Sequence, residues 1–239
     1  MGSIWSQTCS IGRRPPLRGH LKTQAAVVGA GMAGVLTAYA LQQAGLSVVV
    51  LEADRIAGGQ TQNTTAKITS QHGLIYSRLI QSFGEETARR YAKANQDAVR
   101  AYQDLIDVQG ISCDWEERCA YLYGPDVTVL QEEAEAARRL GLPASFTREV
   151  SIPIPHDGAV CFEGQAQFHP LKFLKVLADQ LTIYEQSRVL TAEGDLLTTE
   201  LGSVQAEHIV FACHFPFVNF PGMYFARMHQ ERSYVLALE

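Results

Sequence analysis

The sequence predicts an α/β protein whose parallel sheet is split by a long insertion. Three observations predict it. From Gln24 onward, a short apolar strand, a glycine-rich turn, an apolar helix and a second apolar strand follow one another as a β-α-β unit. Over residues 81–164 helical periodicity dominates instead. Strand-like runs belonging to the first sheet resume late, at Arg188–Leu190 and Ile209–Ala212.

Taken in order, residues 1–20 read as an irregular N-terminal segment, broken by Gly12 and Pro15-Pro16. Ala25–Val28 has the unbroken apolar character of a strand buried on both faces. Val35–Ala44 is a helix that stops at Gly45, and Ser47–Leu51 is the next strand, ending in Glu52. Residues 53–73 form a long polar loop, a length that usually signals function. Glu85–Val108 is a long amphipathic helix closed by Gly110. Its core stripe is Ala88, Tyr91, Ala92, Ala98, Val99, Tyr102, Leu105 and Ile106, with Asn95 as the polar exception. Cys119–Tyr123 is a strand, Val127–Leu140 a helix, and Ala159–Phe168 carries strand pieces. Pro170 opens a helix reaching about Gln180. Short strands follow at Ile183–Glu185, Arg188–Leu190, Leu196–Thr199, Val204 and Ile209–Ala212, and a last one at Ser233–Leu238. The expected domains are therefore 21–80 with 165–215, an insertion at 81–164, and at 217–239 the beginning of another domain.

Composition narrows the function classes. The 239 residues are 46% hydrophobic and 19% charged, the balance of a chain that buries a core. Lys and Arg number 20 against 25 Asp and Glu, a net charge of −5, which disfavours nucleic acid as a partner. Arg13, Arg14, Arg18 and Lys22 read as a solvated segment rather than a nucleic-acid arm. The most apolar stretch, Ala25–Leu41, is too short and too interrupted by glycine to span a membrane. No signal peptide pattern opens the chain. Five cysteines, at 9, 113, 119, 161 and 213, are odd in number and lack C-x-x-C spacing, so neither a disulfide framework nor a metal site is expected. Unpaired thiols suit a cytoplasmic protein.

One motif carries most of the functional argument. Gly29, Gly31, Gly34, Ala38, Leu41, Gly45, Val48 and Glu52 stand at the intervals of a complete dinucleotide-binding fingerprint. Gly29 permits the tight turn out of the first strand. Gly31 lets backbone approach a pyrophosphate. Gly34 lets helix and sheet pack closely. The helix N-terminus then offers free N–H groups and a partial positive charge to phosphate. Glu52, at the tip of the second strand, can accept both hydrogen bonds of an adenosine ribose and would repel a 2′-phosphate, so NADP is disfavoured. The bland alternative is a glycine-rich turn that binds nothing.

The fingerprint does not separate FAD from NAD. The segment Gly58–Gly73, rich in small and hydroxyl residues, can line a flavin, whereas NAD-binding folds move quickly to a third strand. On these features the chain resembles the D-amino-acid oxidase-like family of FAD-dependent oxidoreductases, with a Rossmann-like FAD-binding domain. It is most similar to members carrying a C-terminal Rieske iron–sulfur domain. The resemblance rests on Ser3-Ile4-Trp5, the Gly29–Glu52 fingerprint, Gly59-Gln60-Thr61, Thr64–Gly73, Phe168-His169-Pro170-Leu171-Lys172, Ile209–Ala212 and Ser233-Tyr234-Val235.

That resemblance implies specific contacts. Gly29, Gly31, Met32 and Ala33 would meet the pyrophosphate, Glu52 and Ala53 the ribose, and Gln60 and Thr61 the phosphates. Thr65, Ala66, Lys67 and Ile68 would reach the isoalloxazine, Val189 the adenine edge through its backbone, and Ala212 the side of the dinucleotide. Two departures stand out: Gln24 replaces an acidic residue common before the first strand, and Cys213-His214 replaces Thr-Gly or Thr-His. Relatives continue well beyond this length, and the chain has no C-x-H or C-x-x-H to ligate an iron–sulfur cluster, so it reads as an N-terminal portion. An electron-acceptor protein or the remaining C-terminal half is the expected partner. Lys67 and His72 are the candidate catalytic residues. Lys67 beside a flavin would stabilise negative charge; it reads equally well as a salt-bridged or surface lysine. His72 reads also as a structural histidine, and His169 as a helix-start residue. The function expected is oxidation of a small amine, amino acid or similar substrate by hydride transfer to FAD. The alternatives are a non-catalytic dinucleotide-binding module completed by another chain, and an NAD-dependent dehydrogenase.

Overall fold

The computed structural model describes residues 2–150, 154–215, 217–218, 222–231 and 233. The chain divides into two compact units: residues 1–63 with 174–239, and residues 64–173. The breaks fall earlier than residue 80 and later than residue 165. The reason is that the pairing of residues 67–68 with 166–167 keeps both segments in the second unit.

In the first unit, Ser3 caps a short helix, α1 (Ile4–Thr8), its hydroxyl accepting the Ser6 N–H at 3.2 Å. The chain then runs irregularly to β1 (Gly19–Val28). This strand starts well before Ala25. Its first half alternates between exposed and half-buried residues and lacks the apolar run that marks its second half. Next come α2 (Met32–Gln43) and β2 (Val48–Leu51). After the second unit the chain returns through β7 (Thr182–Tyr184), β8 (Thr191–Glu193), β9 (Leu196–Thr198) and β10 (Gly202–Phe211). The sheet order is β7-β2-β1-β10-β9-β8. β7, β2, β1 and β10 are parallel, and β9 and β8 form an antiparallel edge. Val204 and Ile209–Ala212, read as separate pieces, are one strand ending at Phe211, paired with β1 over its whole length. Arg188–Leu190 is not a strand: the Leu190 N–H donates to the Thr198 carbonyl at 2.8 Å, and no ladder forms there. The core joins Leu17, Ala26, Val28, Leu51, Val189, Leu197 and Val204, all but excluded from solvent.

The second unit holds β3 (Lys67–Ile68), α3 (Tyr76–Gln109), β4 (Glu116–Gly124), α4 (Val127–Arg139), β5 (Ala144–Thr147) and β6 (Gly158–Gln167). α5 (Pro170–Ala178) runs across the division. β6 pairs antiparallel with β3, β4 and β5. β5 was not anticipated, since Phe146 is its single large apolar residue. α3 begins earlier than Glu85 and is broken at Gly84, whose φ of 79° and ψ of 161° no helix accommodates. Along α3 the buried stripe is Ala88, Ala92, Val99 and Ile106. Tyr91 is 40% exposed and Ala98 is exposed, so neither is core; Tyr91 instead leans on the buried Tyr76 ring at 6.3 Å. The core packs Leu130, Ala134 and Ala137 of α4 on Val160 and Phe162 of β6. Most of the strand expected at Ser233–Leu238 lies outside the described residues.

Candidate functional site

The first unit carries a crevice of about 820 Å³ at the ends of β1, β2 and β10, where the sheet order turns back on itself. Gly29, Gly31, Met32 and Ala33 line it, with Glu52 and Ala53, Gln60 and Thr61, Val189, and Ala212. Each of these was expected from the sequence as a cofactor residue. Gly34 does not line it.

The glycines at 29, 31 and 34 answer to different physical demands. Gly29 has φ of 106°, and a Cβ there would stand 2.6 Å from the Ala212 carbonyl oxygen. A Cβ on Gly34 would collide with the Gly29 carbonyl oxygen and press on the Ala212 methyl at 3.4 Å. Those two glycines are explained by the protein's own packing. Gly31 is not. Its φ of −79° and ψ of −174° suit any residue, and the nearest atom to a Cβ is the Thr61 hydroxyl at 3.4 Å. The space a side chain would take at Gly31 is crevice.

Gly31 is also the N-cap of α2 and offers no side chain to the helix end. The Met32 N–H donates to the Thr61 hydroxyl at 2.9 Å. That hydroxyl still holds a proton of its own to donate. The N–H of Ala33 remains for a ligand, where the helix dipole favours an anion. Thr61 is buried in a 3₁₀ turn, Thr61–Asn63, reached through Ala57, which sits at φ of 59° with its N–H bonded to the Ala30 carbonyl.

Glu52 faces the crevice with each carboxylate oxygen holding one backbone donor: Ala30 N–H at 2.7 Å and Asp54 N–H at 2.9 Å. A carboxylate accepts about four hydrogen bonds, so two positions stay open to a vicinal diol. Val189 is buried at the crevice wall, and among the described residues its N–H and C=O have no hydrogen-bond partner. An edge with one free donor beside one free acceptor on the crevice wall matches an adenine edge. Cys213, a departure noted from the sequence, also lines the crevice; burial pushes its thiol pKa up, and the Glu52 charge adds to the effect. His214, noted with Cys213 as a departure, lines it too, and so do Arg188, Leu190 and Phe215, which were not anticipated. Nothing in their local sequence marks them, because they are gathered by the end of β10 and the loop after β7.

Thr65, Ala66, Lys67, Ile68 and His72 belong to the second unit. Ala66 is buried at φ of 57°, its N–H donating to the Thr64 hydroxyl at 3.2 Å and its carbonyl accepting the Phe168 N–H at 3.3 Å. Lys67 and Ile68 pair with Gln167 and Ala166, Ile68 buried and Lys67 exposed. Among the described residues Lys67 forms no ion pair. His72 is exposed, and its Nε2 lies 3.2 Å from the Asn95 Oδ1. His169 accepts the Lys172 N–H on Nδ1 at 3.3 Å at the start of α5. Gln24, the other departure, accepts the Ser47 N–H at 2.9 Å and so ties β1 to the start of β2 without a charge.

Crevice and lining together fit the adenosine diphosphate half of a dinucleotide. Residues 24–239 match the family described as FAD dependent oxidoreductase. The chain is 35% identical over 249 aligned positions to a Bacillus subtilis protein, YhfW, named for a Rieske 2Fe-2S iron–sulfur centre, covering 99% of this chain and 49% of that one. It is 26% identical to the gamma-glutamylputrescine oxidoreductase of Escherichia coli over 78% of this chain and 47% of that one. The chain thus spans about half the length of these curated relatives. Among solved structures the fold resembles L-proline dehydrogenase from P. horikoshii, with a TM-score of 0.66 at 17% identity over 82% of this chain and 54% of that one. It also resembles glycine oxidase from Geobacillus kaustophilus, with a TM-score of 0.60 at 18% identity over 86% and 59%. The chain belongs to the FAD dependent oxidoreductase family, whose members use FAD as their cofactor.

Proposed function

We propose that this chain binds FAD through its adenosine diphosphate half and forms part of an enzyme that oxidises a small amine or amino acid. The observation that carries the reading is Gly31, whose missing side chain nothing in the protein itself requires. Gly31 leaves room for the pyrophosphate. The Ala33 N–H and the Thr61 hydroxyl donate to its oxygens. Glu52 holds the ribose diol, with Ala53 beside it, and the backbone of Val189 pairs with the adenine edge. Gln60 flanks the phosphates, and Ala212 packs against the dinucleotide. The chemistry supplied by bound FAD would be acceptance of a hydride from the substrate carbon. Thr65, Ala66, Lys67 and Ile68 are proposed to serve the isoalloxazine. Lys67 and His72 are proposed as the catalytic residues, Lys67 offering positive charge and His72 a proton acceptor.

The second reading is a non-catalytic module that another polypeptide completes. It is favoured by the relative YhfW, which is named for a Rieske 2Fe-2S iron–sulfur centre. A Rieske domain or other C-terminal portion is then the partner. Free thiols at all five cysteines support a cytoplasmic setting. Titration of the purified chain with FAD and with NADH, followed by flavin fluorescence and thermal melting, tests both readings. Binding of FAD alone supports the flavin assignment, and protection by NADH alone overturns it. Turnover of amines and amino acids with an artificial electron acceptor then separates enzyme from module.

A further inference from the structure

We propose that Glu185 is a positioning residue for the adenylate end of FAD, tying the N-terminal segment to the two stretches that grip adenosine. The proposal rests on the flavin reading above and adds a role for residues 11–17, which belong to no helix or strand.

The Glu185 carboxylate is 1% exposed. Its Oε2 accepts the Arg14 N–H at 2.9 Å and an Arg55 guanidinium N–H, and its Oε1 accepts the Ile56 N–H at 2.8 Å. A buried carboxylate is costly unless donors surround it, and here three donors come from two remote parts of the chain. Arg55 extends the tie, donating its other nitrogen to the Ile11 carbonyl at 2.9 Å. Ser187 repeats the arrangement: its hydroxyl accepts the Leu17 N–H at 2.8 Å, and its own N–H donates to the Glu52 carbonyl at 2.8 Å. The Gln186 side chain donates to the Asp54 carbonyl at 3.0 Å.

Three stretches therefore meet around one side chain. Residues 11–17 supply backbone donors and an acceptor. Residues 52–56 carry Glu52, the ribose ligand. Residues 184–189 end at Val189, the adenine ligand. An apolar residue at 185 would fill the same space but would leave Arg14 and Ile56 N–H groups unpaired and the Glu52 and Val189 backbones free to shift apart. Glu185 touches no crevice, so its effect reaches the ligand only through the spacing of those two stretches.

The test is E185Q, which keeps the volume and removes the charge. Dissociation constants for FAD, AMP and FMN are measured on the full chain and the variant, and amide exchange of residues 11–17 is followed with and without FAD. E185Q is expected to weaken FAD and AMP by about tenfold while FMN, which lacks adenosine, is unchanged. FAD is expected to slow exchange at Arg14 and Leu17 in the parent chain and to do so less in E185Q. Equal weakening of all three ligands, no weakening in a folded variant, or exchange indifferent to FAD would overturn the proposal. A parent chain that binds no FAD overturns the flavin reading itself, and this proposal with it, before any variant is compared. Should E185Q fail to fold, S187A removes the Leu17 acceptor and the hydroxyl donated to the Glu185 carbonyl, and must give a smaller loss with the same preference for FAD and AMP over FMN; a loss shared with FMN overturns the proposal.

Discussion

Replacing Gly31 with serine should move stability and ligand affinity in opposite directions. Gly31 has extended backbone angles that serine adopts without strain, and its Cβ would meet nothing closer than 3.4 Å. As an N-cap, serine exceeds glycine by a few tenths of a kcal/mol, because its hydroxyl accepts an N–H from the first turn of the helix. In a chain of this size that corresponds to a melting temperature higher by about 1 °C. The N–H so captured is one that a phosphate would have used. A hydrogen bond to a charged group contributes about 1.5–3 kcal/mol, so FAD should bind about 10- to 100-fold more weakly. The assay is paired: thermal melting of the cofactor-free protein, and FAD titration by flavin fluorescence. The reasoning is refuted if G31S binds FAD as the parent does, or if its cofactor-free form melts several degrees lower. Gly34→Ala is the contrast, since its Cβ collides with the Gly29 carbonyl; overpacking there should cost about 1–3 kcal/mol and lower stability with or without FAD.

Further outcomes follow from other side chains. Glu133 is 2% exposed and accepts the Ile75 and Tyr76 N–H groups at 2.8 and 2.7 Å and the Ser77 N–H at 2.9 Å, so it caps the start of α3 from α4. Glu133→Ala leaves three donors unmet, the Tyr76 N–H buried and the other two half-buried, and should cost about 2 kcal/mol, read as a lower urea midpoint; an unchanged midpoint would show the cap to be dispensable. His169 has its pKa held below the usual histidine range, by burial first and by the Lys172 charge second, with Asp114 acting against them. A histidine that protonates less readily when folded contributes stability that is complete above the unfolded value, about 6.5, and is lost as pH falls through the folded value. Denaturation midpoints across that range should therefore decline on acidification, and His169→Asn should flatten the decline. Lys67→Met should leave FAD affinity within about twofold, consistent with an exposed lysine that builds no part of the crevice, while slowing turnover by about tenfold or more in the complete enzyme; equal turnover would remove Lys67 from the chemistry.

How much of the fold was legible depended on whether a segment's partner was local. The β1-α2-β2 unit was readable because its glycine turn, its apolar run and its acidic tip are contiguous, and because α2 packs against strands adjacent in sequence. The exposed half of β1 was not readable. It is held by a ladder to β10 formed from residues some 180 positions away, and exposed strands carry no apolar run. Tyr91 has the right spacing for a core stripe. The buried stripe, however, is narrow and made of alanines at 88 and 92, which bring α3 close and leave a large ring at the edge no room inside. Helical period locates a face but not its width.

The candidate site divides along the same line. The fingerprint glycines were all legible as glycines, yet their reasons were not distinguishable until the return of β10 was in place. The Ala212 backbone, remote in sequence, forbids a side chain at Gly29, while the Gly29 carbonyl forbids one at Gly34 with the Ala212 methyl close by. Only Gly31 is left without an internal reason, which is why substituting it separates binding from folding while substituting Gly34 cannot. A motif of this kind thus mixes residues required by the fold with residues required by the ligand. The spacing alone weights them equally, and what sorts them is whether the space beside each glycine is filled by the protein or left open.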